Sequence, residues 1–224
     1  MKTRLLLLAA ASLLTVAPAA ADAPAPRWTG CYVGVGLGMA SSVHETGLDV
    51  GGATLLTIDG LGSSGVAVAG HVGCDLQLQQ FVIGAFADYT WHDQTWQASS
   101  PLIGGTLASM SIDTQWTVGA RAGVVVSNVL IYGLVGYTEV QVGAISVPLA
   151  ATSFAVPDMS GWVFGGGAEI ALGNGLFLAG EYRYAMLDRV VAPITTGVGI
   201  GIETEMHTAM ARLSYRFGGL PFSN

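Results

Sequence analysis

The chain from residue 28 to residue 217 consists largely of stretches in which every second side chain is apolar. In WTGCYVGVGLGMASS, residues 28–42, one row is apolar, and after Tyr32 the opposite row contains little but glycine and alanine. A period of two predicts a β-strand. In a half-buried strand of a soluble protein the second row would be polar. One apolar row and one nearly empty row therefore indicate a different environment.

Eight such stretches follow one another, and the segments that connect them alternate in length. The stretches cover residues 28–42, 64–77, 80–96, 110–126, 129–143, 160–173, 175–190 and 204–217. The second, fourth and sixth connections are tight and suit hairpin turns. The other four are long and cover residues 43–63, 97–109, 144–159 and 191–203. An even strand number with short turns on one side and long loops on the other is typical of outer-membrane barrels.

The sequence therefore predicts an all-β fold, an eight-stranded antiparallel up-and-down transmembrane β-barrel preceded by a cleavable signal peptide. Lys2 and Arg4 precede an unbroken apolar run that ends in small residues, and cleavage is expected between Ala21 and Asp22. The expected organisation is a signal peptide over 1–21, a short periplasmic segment over 22–27, the barrel over 28–217 and a C-terminal tail over 218–224.

Composition agrees with lipid contact that is spread over many strands. Apolar residues make up 51% of the chain, charged residues 10%, and glycine occurs 32 times. After the signal, no apolar run reaches the roughly eighteen residues of a spanning helix. Only a closed barrel contacts lipid in this dispersed way, because an open sheet would leave backbone groups unpaired. Arginine is the one basic residue type after residue 21 and acidic residues outnumber it, which excludes nucleic acid as a partner.

Most charges within the strands are assigned to the glycine-rich face. An eight-stranded barrel is only wide enough for its own side chains, so glycine on some strands provides room for charged side chains from others. Buried charges persist only when they are paired, so we expect an ion-pair network that plugs the interior; the alternative is a charged pore. In the expected network Arg121, Arg183 and Arg212 pair with Glu139, Glu169 and Glu181, and His71, Asp75 and Asp88 complete it. Arg216, Gln115, Tyr137 and Gln141 are assigned to the same face.

Outward-facing aromatic residues predict girdles at the membrane interfaces. These residues are Tyr89, Trp91, Trp116, Trp162, Tyr182, Tyr184 and Tyr215. A soluble lipocalin-like barrel would place the apolar rows inside around a ligand. Its outer rows would then carry too much glycine and alanine, and too few charges, to meet water.

The two cysteines, Cys31 and Cys74, fall at matching heights in the first predicted hairpin, both on the outward face. The periplasm is oxidising, and directly opposed residues of an antiparallel pair lie within disulfide range. The sequence predicts a cross-strand disulfide between them. Two free thiols that serve as small apolar residues are the alternative.

We expect no catalytic, cofactor or metal site. GLGSSG at 60–65 matches a dinucleotide-binding pattern, but no helix pattern follows it. The four histidines do not converge with the spacing of metal ligands: His44 is expected in a loop, His71 and His92 face inward at different heights, and His207 faces outward. No serine stands beside His207 to act as a nucleophile.

Taken in order, the strand sequences resemble the porin-like outer-membrane β-barrel proteins of alphaproteobacteria, within the OmpA-like eight-stranded superfamily. The matching segments cover nearly all strands and none of the long loops. They are WTGCYVGVGLG (28–38), GVAVAGHVGCDLQ (65–77), FVIGAFADYTW (81–91), TVGARAGVVVSNVLIYGLVGYTEVQVG (117–143), GWVFGGGAEIALGNGLFLAGEYRYAMLD (161–188) and HTAMARLSYRF (207–217).

The resemblance implies an integral outer-membrane protein that is exported by a Sec-type route, inserted by the barrel assembly machinery, and surrounded by lipid and lipopolysaccharide. Such proteins are described as surface antigens or porin-like proteins, with haemin binding in some branches. We expect a structural role in envelope integrity and surface interaction, with four extracellular loops. A narrow porin-like channel, a haemin-like ligand-binding surface protein, a lipid-modifying barrel enzyme and a soluble carrier are the alternatives. The loops contain no lysine and few aromatic residues, so they indicate no particular partner.

Overall fold

The structure, a computed structural model, describes residues 28–100, 105–147, 152–154, 157–196 and 198–218. The expected signal peptide with its cleavage site, the segment 22–27 and the tail beyond Gly218 lie outside these residues. In the described ranges the chain forms ten strands. They are β1 (Gly30–Val50), β2 (Ala53–Leu78), β3 (Phe81–Ser100), β4 (Gly105–Val126), β5 (Val129–Val142), β6 (Ile145–Val147), β7 (Thr152–Phe154), β8 (Met159–Gly173), β9 (Leu176–Thr195) and β10 (Val198–Gly218). No helix in the described part of the chain is long and apolar enough to cross a bilayer.

Eight of the strands form a closed antiparallel barrel. Each barrel strand pairs with its neighbours in the chain, and the sheet closes where β1 pairs with β10. The short strands β6 and β7 form a small hairpin that attaches to β4 through Ser109 and Ser146. The prediction of an eight-stranded antiparallel up-and-down barrel is confirmed.

Three two-residue turns connect the strands at one end of the barrel, which we call the turn end. They begin at Gln79, Ser127 and Asn174, whose φ angles are 57°, 60° and 52°. Gly175 completes the third turn with a φ of 80°. Two successive positive φ angles match the twist of the strands that a hairpin joins, which is why Asn-Gly suits this position.

At the opposite end, which we call the loop end, the segments predicted as loops are largely continuations of the strands. β1 has 21 residues and β2 has 26, and they meet at Gly51 and Gly52, whose φ angles are 60° and 85°. About ten tilted residues suffice to cross a bilayer, so the wall of the barrel continues well beyond it. His44, expected in a loop, lies in this extended wall and faces inward, with Nδ1 2.9 Å from Thr204 Oγ1. The loop assignment of His44 is therefore wrong.

Glycines on the inner face leave room for the large interior side chains. A Cβ atom at Gly34 would lie 2.6 Å from His71 Nε2, and a Cβ atom at Gly84 would overlap Asp75 Oδ1. Any other residue would have to displace these side chains. The nearly empty row of the opening stretch therefore faces the interior, where side chains of other strands occupy the space.

The apolar row of the same stretch covers the outer surface. Val33, Val35, Leu37 and Met39 have exposed fractions of 47 to 66%, whereas Tyr32 in the other row is 4% exposed. Large exposed aliphatic side chains in a continuous band would be unfavourable in water and are favourable in hydrocarbon. The band identifies the part of the wall that faces lipid.

The two cysteines are direct partners in the β1–β2 register. Their sulfur atoms are bonded, and the bridge closes a segment with a sequence separation of 43 between Cys31 and Cys74. Both side chains lie on the outer surface.

Alkylation of the folded, unreduced protein should therefore leave Cys31 and Cys74 unmodified, because bonded sulfurs cannot react. Reduction before alkylation should add one adduct on each cysteine. Intact-mass spectrometry checks both expectations. Uptake of the reagent without reduction would contradict the bond.

Candidate functional site

A ring of four charged side chains lies in the interior near the turn end; we call it the lower cluster and define it as Asp75, Arg121, Glu169 and Arg216. Arg121 donates from Nε to Asp75 Oδ1 at 3.0 Å and from Nη1 to Glu169 Oε2 at 2.9 Å. Arg216 donates from Nη1 to Asp75 Oδ2 at 2.8 Å and from Nη2 to Glu169 Oε1 at 3.2 Å. Each guanidinium bridges both carboxylates, so the ring carries no net charge.

A second group of four charges, the middle cluster, lies further from the turn end and consists of Asp88, Glu181, Arg183 and Arg212. Arg183 Nη2 lies 2.7 Å from Asp88 Oδ2, and its Nε donates to Glu181 Oε1 at 2.7 Å. Arg212 Nε lies 2.8 Å from Glu181 Oε1. The Tyr132 hydroxyl donates to the other oxygen of Glu181 at 2.7 Å. This cluster also contains two arginines and two carboxylates, and its charges sum to zero.

All eight charged side chains are at most 9% exposed, and aromatic rings flank the guanidinium groups. The Arg121 Cζ atom lies 4.7 Å from the centre of the Tyr32 ring and 5.0 Å from that of Tyr132. Arg183 Cζ lies 5.0 Å from the centre of the Phe86 ring. A desolvated cation over an aromatic face gains about 2 kcal/mol or more. The rings therefore hold the arginines in place in addition to the carboxylates.

Uncharged polar groups occupy the next level of the interior towards the loop end. Gln115 Nε2 donates to Thr138 Oγ1 at 2.8 Å, and Gln115 Oε1 lies 2.9 Å from His92 Nε2. An apolar cluster follows. It consists of Ile112, Val140, Met159, Val163, Ala185, Leu187, Ile202 and Met206.

A groove of about 900 Å³ that is open to the outer surface beside Leu76 and Phe164 includes Asp75 and Arg121 in its lining. Inside the barrel, two small cavities adjoin the charged clusters. One, of about 20 Å³, lies between the two clusters, next to Tyr32 and His71. The other, of about 10 Å³, lies beside Arg212 and Thr90. Cavities of this size hold a single water at most, so the described interior is filled almost entirely by side chains.

Eight of the nine residues that we assigned to the interior network lie in the interior. His71 is among them, with Nε2 2.9 Å from Ser214 Oγ. The others belong to the two clusters and are Asp75, Asp88, Arg121, Glu169, Glu181, Arg183 and Arg212. Arg216, assigned to the same face, completes the lower cluster.

The assignment of Glu139 to the interior is wrong. Its Oε1 accepts a hydrogen bond of 3.2 Å from Trp116 Nε1 on the outer surface, and Tyr137 and Gln141 are also exposed. Both rows of this strand are largely apolar, so the pattern does not distinguish its inner face from its outer face. Glu139 lies near the loop end, where a carboxylate reaches the interface. The inner row of β5 contains Leu130, Tyr132, Leu134, Gly136, Thr138 and Val140.

The expected pairing therefore needs correction, because Asp75 and Asp88 take the places given to Glu139. Tyr132, which binds Glu181, is a functional residue that the sequence reasoning missed. A signal was present on the neighbouring strand, where three glycines occur in succession. A Cβ atom at Gly167 would lie 2.9 Å from the Tyr132 hydroxyl, so the glycines mark the place of a large ring.

The seven aromatic residues assigned to the interfaces lie on the outer surface. Six form an arc towards the loop end, and Tyr215 lies nearer the turn end. Within the arc, the rings of Tyr89 and Trp91 have centroids 4.9 Å apart. The other members of the arc are Trp116, Trp162, Tyr182 and Tyr184. In the described residues no group of three or more His, Cys, Asp or Glu side chains could hold a metal ion.

Replacing Glu169 by alanine should lower the free energy of unfolding by about 3–5 kcal/mol, because Arg121 and Arg216 would each lose a carboxylate in a buried site. The matched control is Glu139→Ala on the outer surface, which should change it by less than about 0.5 kcal/mol. Urea unfolding in phospholipid vesicles, followed by tryptophan fluorescence, measures both. Equal losses would contradict the buried pairing and indicate a hydrated interior.

Comparison with known proteins agrees with this architecture. The family model described as "Outer membrane protein beta-barrel domain" matches residues 6–217. The 31 kDa outer-membrane immunogenic proteins of Brucella melitensis and Brucella suis are each 27% identical to the chain over 219 residues, which cover 90% of this chain and 88% of theirs.

Among solved structures, the outer membrane protein OprG from Pseudomonas aeruginosa superposes with a TM-score of 0.53 at 12% identity, over 85% of this chain and 98% of that one. The outer membrane protease OmpT from Escherichia coli superposes with a TM-score of 0.51 at 10% identity, over 84% of this chain and 97% of that one. At such low identity these likenesses concern the fold. The chain belongs to the outer-membrane β-barrel family and is an integral protein of the bacterial outer membrane.

Proposed function

We propose that the protein is a structural surface protein of the outer membrane whose interior is closed to solutes. The observation that carries this proposal is the presence of two neutral charged clusters, one above the other, across the interior of the barrel. A barrel of eight strands has a lumen that side chains can fill. An ion that crossed it would have to displace paired, desolvated charges at both levels.

The energetic cost of such displacement favours closure. Separating one partner from a buried ion pair typically costs about 3–5 kcal/mol, and each cluster holds its charges through several contacts. The cavity between the clusters measures about 20 Å³, which is far too small for a hydrated ion. The apolar cluster beyond them adds a third obstacle, because it offers an ion no polar partner.

The extended hairpins at the loop end are the part that we propose to face the surroundings of the cell. Four acidic side chains are exposed there: Glu45, Asp93, Asp113 and Glu203. The basic side chain of Arg189 is exposed in the same region. The Brucella relatives are named immunogenic proteins, which supports an exposed position for the corresponding part of this chain. We infer that lipopolysaccharide surrounds the membrane-spanning wall of the barrel and that the barrel assembly machinery inserts the protein into the membrane.

We further propose that the protein has no enzymatic activity. Three of the four histidines are engaged inside the barrel, His44 with Thr204, His71 with Ser214, and His92 with a glutamine. These side chains are out of reach of an external substrate. The protease named among the solved structures shares the fold at 10% identity, which carries no activity over to this chain.

The purified, folded protein should give no discrete current steps in planar lipid bilayers, because the paired charges block the interior. Heat-modifiable gel migration and flotation with vesicles verify folding and insertion of the same preparation. Reproducible steps whose ion selectivity changes in Glu169→Gln would contradict closure and establish a narrow porin-like channel instead.

A further inference from the structure

On the outer surface of β9 and β10 near the loop end, three ring side chains form a platform, which we define as Tyr182, Tyr184 and His207. The ring planes of Tyr182 and Tyr184 are inclined by 30° and 32° to that of His207, with centroids 6.1 and 5.0 Å away. Tyr182 Oη lies 2.7 Å from His207 Nδ1, and Glu205 stands two residues from His207 on the same face of β10. The platform therefore presents ring faces with an imidazole nitrogen and a carboxylate at its edge.

A polar cavity of about 200 Å³ lies nearer the loop end than the platform, and its closest β10 residue, Glu203, is four residues from His207. It is lined by Glu45, Gly47, Thr54, Arg189, Gly201 and Glu203. At roughly 30 Å³ per water molecule, its volume corresponds to about seven waters. A single sugar ring would fit this space.

Arg189 is held at the edge of this cavity by Asp49. Its Nη2 donates to both carboxylate oxygens at 2.8 and 2.9 Å, and Thr54 Oγ1 donates to Asp49 Oδ1 at 2.7 Å. The hydrogen bonds from Thr54 and Arg189 hold the pKa of the Asp49 carboxyl below its ordinary value. Asp49 therefore stays ionised and offsets the charge of Arg189.

The remaining charges of the cavity belong to Glu45 and Glu203, which are direct partners in the β1–β10 register. Arg189 Nε lies 3.7 Å from Glu203 Oε1, so one arginine faces the three carboxylates of Asp49, Glu203 and Glu45, and the group keeps an excess of negative charge. Like charges that face each other across a strand pair destabilise it. A ligand that donates hydrogen bonds to both carboxylates would relieve this repulsion, and hydrogen bonds to charged acceptors are strong. A bare phosphate group would increase the repulsion instead, so hydroxyl-rich chemistry fits the cavity better than anionic chemistry.

We propose that the platform and the cavity together bind the sugar part of the outer-leaflet glycolipid, lipopolysaccharide. The platform belongs to the aromatic arc, and aromatic girdles lie at the headgroup level, where sugar rings attached to acyl chains would meet it. Below the platform, Ala209 and Leu213 on β10 face outward and leave an apolar surface for the acyl chains. The inference rests on the proposed function, in which the loop end faces outward and lipopolysaccharide surrounds the wall.

The test compares two pairs of substitutions within the same aromatic arc. Tyr184→Leu with His207→Leu removes two of the three platform rings, and Tyr89→Leu with Trp91→Leu removes another outward pair whose rings are in contact. Each folded variant is reconstituted in phosphatidylethanolamine and phosphatidylglycerol vesicles that contain lipopolysaccharide. Native mass spectrometry after mild extraction then counts the lipopolysaccharide retained per barrel.

The platform variant should retain about tenfold less lipopolysaccharide than the unmodified protein, since it loses hydrogen bonds to polar partners and ring contacts. The control pair should retain as much as the unmodified protein.

A second arm of the same test distinguishes sugar from phosphate recognition. Vesicles that contain dephosphorylated lipopolysaccharide should give the same retention as the intact lipid. Loss of retention on dephosphorylation, or equal losses in the platform and control variants, would overturn the proposal. Tyr182→Phe, which removes one hydroxyl and keeps the ring, tests the same contact with little risk to folding and should lower retention severalfold. Conductance recorded on these preparations reports on closure separately, so the two proposals fail independently.

Discussion

Pairing between arginines and carboxylates inside the closed sheet is the interaction on which the rest of the structure depends. In the lower cluster, charges supplied by β2, β4, β8 and β10 meet at the centre of the barrel, so four strands that do not adjoin one another are joined across it. An unpaired charge in this position would be far more costly than an apolar side chain. Each of the eight charges therefore needs its partners in place, and because the partners lie on different strands, the pairing favours the closed barrel.

The distribution of glycine follows from this pairing. A long arginine or glutamate side chain that extends into the lumen needs space. Glycine at the inward positions of the opposite or adjacent strand provides that space. Gly84 lies against Asp75, and Gly167 lies against the tyrosine that binds Glu181. The glycine-rich rows of some strands thus accommodate the charged side chains of other strands. Hydrocarbon outside the barrel accounts for the apolar rows between them.

The barrel could be predicted from the sequence because its two environments leave opposite marks on alternate residues. In β1 one row is aliphatic and the other consists mainly of glycine, so its faces were unambiguous. The strand β5 carried no such contrast: Leu130 and Leu134 face inward while Ile131 and Val135 face lipid. When both faces of a strand are apolar, the sequence does not indicate which face points to the lumen and which to lipid.

The partners of individual charges could not be predicted, because they depend on the stagger of the strands around the barrel. Glu169 meets Arg121 from a strand two positions away, and Glu181 meets Arg212 from the adjacent strand. The sequence likewise predicts a loop around His44, where the strands continue beyond the bilayer with polar residues. Such residues alternate too, but both of their faces are polar and the period of two is hard to detect there.

A double-mutant cycle between Arg121 and Glu169 tests most directly whether the interior charges stabilise the barrel as pairs. The free energies of unfolding of Arg121→Met, Glu169→Leu and the combined variant are measured in the same vesicles. Pairing predicts that the combined variant loses less than the sum of the single losses, with a coupling of about 1–3 kcal/mol. Additive losses would show that the two charges act independently, and would contradict a barrel closed by paired charges.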